Sequence, residues 1–164
     1  MSLQVWLARD EQLDVAGRLL DAFNREYDDV TPGPMALAAR LRELVRDEGL
    51  AVLLGALRDV DEAEGEPDGL VVLRFRPALW TAGLECYLAE LYVVPALRGR
   101  GLGRALAVAA LALAQARGAD RIELGTSEDD VAARALYESL GFTNREGGAP
   151  EGPGSTMYVY ERDL

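Results

Sequence analysis

Apolar and polar positions along this chain alternate in two rhythms, a period of two and a period near 3.6, and the changes between them mark out the elements. Leu3–Arg9 reads as a short strand, with Val5 and Leu7 on one face. Asp10 then stands as an N-cap, and Leu13, Ala16, Leu19, Leu20, Phe23 and Tyr27 follow at helical spacing. Pro32, Gly33 and Pro34 end that helix, and a second runs from about Pro34 to Glu48 with Leu37, Leu41, Leu44 and Val45 on its apolar face. Leu50–Leu57 is apolar almost throughout and reads as a buried strand. The acidic stretch Asp59–Asp68 is a solvated hairpin loop, and Leu70–Arg76 returns as a strand. Pro77–Gly83 connects to a longer strand, Glu85–Val94, which Pro95 ends. Leu102–Arg117 is a helix stopped by Gly118, Asp120–Thr126 a strand, and Asp130–Leu140 a helix stopped by Gly141. Phe142–Arg145 begins another strand, Glu146–Gly154 is a mobile Gly- and Pro-rich loop, and Thr156–Glu161 is the last strand.

The resulting order is β-α-α-β-β-β-α-β-α-β-β. Hairpins in the middle and at the end imply antiparallel pairs, and the β-α-β crossover implies a parallel pair with a right-handed connection. This predicts one α/β domain over residues 1–164, built on a mixed, mostly antiparallel sheet. The length of 164 residues suits a single domain with a core large enough to need no disulfide or metal.

Composition narrows the chemistry. The chain has 17 basic and 28 acidic residues and a net charge of −11; every basic residue is Arg, and there is neither Lys nor His. Hydrolases with an imidazole base, Schiff-base enzymes and P-loop nucleotidases are thereby excluded. The single Cys86 builds no Cys-only zinc site, so no metal is expected. An unpaired cysteine and the lack of a leader pattern point to the cytoplasm. The apolar run Ala105–Ala116 is too short for a membrane span, and the acidity argues against nucleic acid and for a small cationic partner.

The chemistry concentrates in Glu90–Arg104, ELYVVPALRGRGLGR, where an apolar strand meets a loop of alternating glycines and then a helix. Glycines let backbone N–H groups turn toward a ligand, and a helix N-terminus adds unpaired N–H donors and partial positive charge. Arg98, Arg100 and Arg104 reverse the sign of the chain locally, which suits a pyrophosphate. A dinucleotide fingerprint G-x-G-x-x-G is not met, because its third glycine would fall on Arg104 or Leu106.

Arg98-x-x-Gly101-x-Gly103 resembles the acyl-CoA pyrophosphate loop of the GNAT N-acetyltransferase superfamily, and Glu90–Pro95 resembles the strand that leads into it. Asp130-x-x-Ala133-x-x-Leu136-Tyr137-x-x-x-Gly141-Phe142 is similar to a second segment of that family, with Asp130 where Asn is usual. The resemblance implies that strands Glu85–Val94 and Asp120–Thr126 splay apart around the pantetheine arm of acetyl-CoA. It further implies that backbone groups of Val93 and Val94 pair with that arm. Arg98, Gly99, Arg100, Gly101, Gly103 and Arg104 would hold the pyrophosphate, with Asp130 and Ala133 along the other side. Asp130 equally suits the N-cap of its helix.

By the same resemblance Tyr137 protonates the departing thiolate. A free amine attacks the thioester directly in a ternary complex, and with no His the base falls to a carboxylate, with Glu90 the leading candidate. Glu26, Tyr27, Asp28 and Asp29 lie on the loop between the first two helices, which forms an acceptor wall in this family. The stretch Phe23–Asp29 is also similar to the aminoglycoside 3-N-acetyltransferase branch. An acetyl-CoA-dependent N-acetyltransferase acting on a small cationic amine is the reading these residues favour. Aminoglycosides, polyamines, small amines and protein N-termini stay open as acceptors. A non-catalytic acyl-CoA sensor is the alternative, and Ser155–Tyr160 is a candidate homodimer contact.

Overall fold

The structure is a computed structural model and describes residues 2–58, 66–148 and 154–164. Residues 59–65, most of the acidic hairpin loop, lie outside the described residues, as do residues 149–153 of the Gly- and Pro-rich loop. The chain divides into two compact units, Met1–Leu124 and Gly125–Leu164.

The first unit holds β1 (Ser2–Leu7), α1 (Leu13–Glu26), α2 (Pro34–Arg46), β2 (Leu50–Arg58), β3 (Gly69–Pro77), β4 (Leu84–Val93), α3 (Leu102–Ala116) and β5 (Ala119–Glu123). Its sheet has the order β1-β2-β3-β4-β5; the first three pairings are antiparallel and β4 runs parallel to β5. The expected α/β class and mixed sheet are thus present. Residues Leu50, Val52, Leu54, Leu70, Val72 and Tyr92 face Leu13, Ala16, Leu19 and Leu41 of α1 and α2. On the opposite face, a Cβ on Gly55 of β2 would meet Leu102 and Leu106 of α3 at about 3.0 Å. β2 is therefore covered on both sides, which is why its sequence is apolar at nearly every position. Gly17 sets the approach of the two N-terminal helices: a Cβ there would overlap the Pro34 carbonyl oxygen and the Ala38 backbone nitrogen.

Several sequence expectations need correction. Asp10 does not cap α1. It sits in a 3-10 turn, Asp10–Gln12, where the Gln12 side chain accepts the Arg9 N–H at 3.0 Å. The Asp10 carboxylate instead faces Arg42 at 3.7 Å. β5 ends at Glu123, short of Thr126.

The second unit contains α4 (Val131–Ser139), capped by Asp130, whose carboxylate accepts the Ala133 N–H at 3.0 Å. The two terminal strands do not form. A single bridge joins Arg145 to Thr156, with Glu146 N–H donating to Ser155 C=O and Met157 N–H to Asn144 C=O. Gly147 and Gly148 follow at φ 89° and 82°, turning the chain out of extended geometry. Tyr158, Val159 and Tyr160 are exposed, so no buried face fixes a longer register.

Candidate functional site

β4 gives way to a 3-10 turn, Pro95–Leu97, then the glycine loop, then α3. Gly99 (φ 74°) and Gly101 (φ 89°) both adopt left-handed backbone, the conformation that favours glycine. The first helical bond of α3 is Ala105 N–H to Gly101 C=O at 3.0 Å. The N–H groups of Leu102, Gly103 and Arg104 therefore lie ahead of the helical ladder, at the positive end of a 15-residue helix. Arg100 and Arg104 are exposed beside them.

Arg98 has a different occupation. Its guanidinium forms a bidentate pair with Glu26 at 2.6 and 2.7 Å, its Nε donates to Val93 C=O at 2.9 Å, and it lies 5.5 Å from the Tyr92 ring centroid. Tyr92 in turn stacks on Phe23 of α1 at 5.1 Å. Two residues assigned separately in the sequence, a phosphate arginine and an acceptor carboxylate, thus hold each other. The Arg98 guanidinium draws the Glu26 carboxyl below the ordinary range for a glutamate. Tyr27, Asp28 and Asp29 continue the loop and are exposed, with Asp28 at φ 56°.

The β4–β5 ladder stops at Tyr87↔Glu123 while β4 continues to Val93. Val94 is engaged within the chain: its N–H donates to Asp68 C=O at 2.9 Å and its C=O accepts from Leu97 at 3.0 Å. By antiparallel alternation, the backbone groups of Leu91 and Val93 point away from β3, past the end of β5.

Glu90 sits beside a bulge, where Val72 pairs with Glu90 but Leu73 pairs with Leu88. Ala89 and Glu90 consequently both line a cleft of about 150 Å3 between the sheet, α1 and α2. A larger cleft of about 720 Å3 adjoins it, and Leu44, Leu50 and Arg74 belong to both. Burial raises the Glu90 pKa above the usual carboxylate range, and the Arg74 charge partly opposes that shift. Cys86 lines the larger cleft, and burial lifts its thiol to about 11, so it is no nucleophile at neutral pH.

In the second unit Tyr137 is buried and meets the Phe142 ring edge-on at 5.7 Å. Burial, with a smaller push from the Asp130 charge, lifts its hydroxyl to about 12. Asp130 and Ala133, both assigned to the cofactor, are bonded to each other in the helix cap.

The Acetyltransferase (GNAT) family model matches residues 17–142. The chain belongs to that family. A provisionally named acetyltransferase from Arthrobacter sp. FB24 is 37% identical, covers 98% of this chain and 96% of its own, and superposes with a TM-score of 0.83. An aminoglycoside acetyltransferase from an uncultured soil metagenome, solved with sisomicin, covers 99% and 95% with a TM-score of 0.73 but only 14% identity, so it shares the fold. Mycothiol acetyltransferase of Beutenbergia cavernae is 45% identical over 69 residues, which is 40% of this chain and 23% of that protein. The chain thus spans about a quarter of the length of that curated relative.

GNAT acetyltransferases use acetyl-CoA as co-substrate, and the N–H groups at the start of α3 fit the pyrophosphate of such a ligand. Among the described residues, no group of His, Cys, Asp and Glu side chains is placed to hold a metal ion, and no helix is long and apolar enough to cross a membrane.

Sequence reasoning missed two features of these elements. One is Tyr92 as the platform between Arg98 and Phe23. The other is the set of arginines lining the clefts, Arg40, Arg74 and Arg76. The signal for the latter lies in Leu70–Arg76, where the apolar run breaks into arginines at alternate positions, 74 and 76.

Proposed function

We propose that this chain transfers the acetyl group of acetyl-CoA to a primary amine of a small acceptor, residues 1–164 acting as one N-acetyltransferase domain. The observation that carries the proposal is the cradle of unladdered N–H groups at the start of α3, beside the open edge of β4. Gly99, Arg100, Gly101, Gly103 and Arg104 hold the pyrophosphate. Arg98 shapes the loop through Glu26 and Val93 and adds its charge at the rim. The outward N–H of Val93, whose carbonyl is taken by Arg98, pairs with a pantetheine carbonyl, and the outward groups of Leu91 continue the pairing in the manner of an added strand. Val94 supports this edge from behind. Ala133 and Asp130 contribute through the cap of α4, which fixes the start of the helix carrying Tyr137.

The amine nitrogen forms a C–N bond to the thioester carbonyl carbon as the C–S bond breaks, giving an amide and free CoA. The attacking ammonium must first lose a proton, and Glu90 takes it directly or through water; its raised pKa makes it a stronger base than an exposed glutamate. The departing sulfur gains a proton from the Tyr137 hydroxyl, which burial keeps protonated at neutral pH.

Tyr27, Asp28 and Asp29 offer the acceptor an acidic approach, with Glu26 anchoring their loop. The Phe23–Asp29 resemblance supports an aminoglycoside as one acceptor. The mycothiol acetyltransferase match supports acetyl transfer to a small molecule. The unpaired Cys86 supports a cytoplasmic location. A homodimer contact at Ser155–Tyr160 is supported by the exposure of Tyr158, Val159 and Tyr160.

An amine panel with acetyl-CoA, read as free CoA released, tests the proposal. Turnover is expected with at least one class among aminoglycosides, polyamines, small amines and peptide N-termini. A thermal shift with acetyl-CoA and no turnover on any amine would leave the protein as an acyl-CoA sensor.

A further inference from the structure

The smaller cleft, beside Glu90, carries a charge pattern unlike that of the whole chain, whereas the larger one keeps the chain's acidity through Asp47, Glu85 and Glu123. In a protein of net charge −11, the smaller cleft is lined by two arginines, Arg40 and Arg74, against one carboxylate, Glu90. Arg40 is committed to Glu43 at 2.8 Å, and Arg76 in the larger cleft is committed to Glu85 at 2.6 Å. Arg74 has no ion pair or side-chain hydrogen bond among the described residues, and it is the one cation lining both clefts. It stands two residues along β3 from Val72, the partner of Glu90, so the two side chains are diagonal neighbours on the sheet. The remaining wall is mostly apolar, with Leu20, Leu37, Leu41 and Leu44 from α1 and α2; its one polar side chain is Asn24, whose amide donates to Val30 C=O at 3.1 Å.

We infer that the acceptor is an amino carboxylate with an apolar body, its amine held at Glu90 and its carboxylate held by Arg74. The inference rests on the acetyl-transfer reading and names the substrate class of that site. A planar guanidinium accepts a carboxylate through two parallel N–H···O bonds, and an uncommitted one in a partly enclosed cleft distinguishes an acid from its uncharged analogue. A polycation would meet Arg74 as a like charge close to the reacting amine. The apolar wall gives an aliphatic side chain a surface to bury. Arg74 is thus a specificity residue: it does not touch the reacting bond, but it sets which amines are presented to it.

The test compares leucine, leucinamide and isopentylamine, which share the aliphatic body and differ in the carboxylate, with spermidine and kanamycin as purely cationic amines. Each is assayed with acetyl-CoA in the unaltered protein and in Arg74→Gln and Arg74→Lys, with the acetyl-CoA thermal shift confirming a folded, loaded protein. Leucine is expected to exceed isopentylamine in kcat/KM by roughly 10- to 100-fold. Arg74→Gln should remove most of that ratio, chiefly through the KM for leucine, and Arg74→Lys should restore part of it. Equal or better turnover of isopentylamine, spermidine or kanamycin would overturn the inference while leaving acetyl transfer standing, and so would a ratio that survives Arg74→Gln. Failure of every amine would overturn the transfer reading and the inference together.

Discussion

In its proposed role as the acid, Tyr137 keeps its proton throughout the working range because burial lifts its hydroxyl to about 12, at the cost of making it a weaker acid than a surface tyrosine. Tyr137→Phe is expected to lower kcat by roughly 100- to 1000-fold while acetyl-CoA affinity is retained, a split read by steady-state kinetics beside calorimetry. Glu90 carries the opposite requirement. It must be ionised to accept a proton, and burial raises its pKa, so kcat/KM should climb with pH along a limb lying above the ordinary glutamate range. Glu90→Gln should abolish that limb; persistence of the limb in the variant would assign it to another group. Both proposed roles start from the sequence, Tyr137 from the L-Y pair and Glu90 from its place on the strand. The Glu26–Arg98 pair was not legible, because the two residues are 72 positions apart and only the fold brings them together.

At the level of elements, the arginines of the glycine loop divide into two kinds. Both Arg98 and Arg100 are exposed, but Arg98 ties α1 to the end of β4 through Glu26, Val93 and Tyr92, whereas Arg100 makes no side-chain hydrogen bond or ion pair among the described residues. Arg98→Ala should therefore lower both Tm and acetyl-CoA affinity. Arg100→Ala should weaken acetyl-CoA by roughly 10-fold with Tm unchanged. Calorimetry and thermal melts on the two variants separate these roles. Gly17→Ala should cost about 1–3 kcal/mol in a denaturant melt, because the added methyl meets the Pro34 carbonyl and pushes α1 from α2. The helices and central strands followed from periodicity because their apolar faces are buried. The final two strands did not form because Met157–Tyr160, which alternates little and stays exposed, has no core to fix its register. The bulge at Ala89 was also invisible, since a one-residue slip leaves no mark on an apolar strand.

Across the whole molecule, a net charge of −11 makes self-repulsion a long-range term that local pairs such as Arg98–Glu26 do not cancel. Raising ionic strength from about 0.01 M to about 0.15 M shortens the screening length from roughly 30 to 8 Å, and Tm should rise. A fall in Tm would mean that short-range ion pairs outweigh the repulsion. The same acidity suggested a cationic acceptor from the sequence alone, but an average over the chain says little about one cleft. Arg74 reached that cleft through strand pairing that composition does not encode. The central claim is that the anion cradle at α3 serves acetyl transfer to an amine. The most direct measurement is isolation of the acceptor after incubation with the protein and acetyl-CoA, with the acetylated product and free CoA quantified together. The expected result is an N-acetylated amine formed in equal amount to the CoA released. Tight acetyl-CoA binding with CoA released into water, or with no amide formed on any amine of the panel, would contradict it.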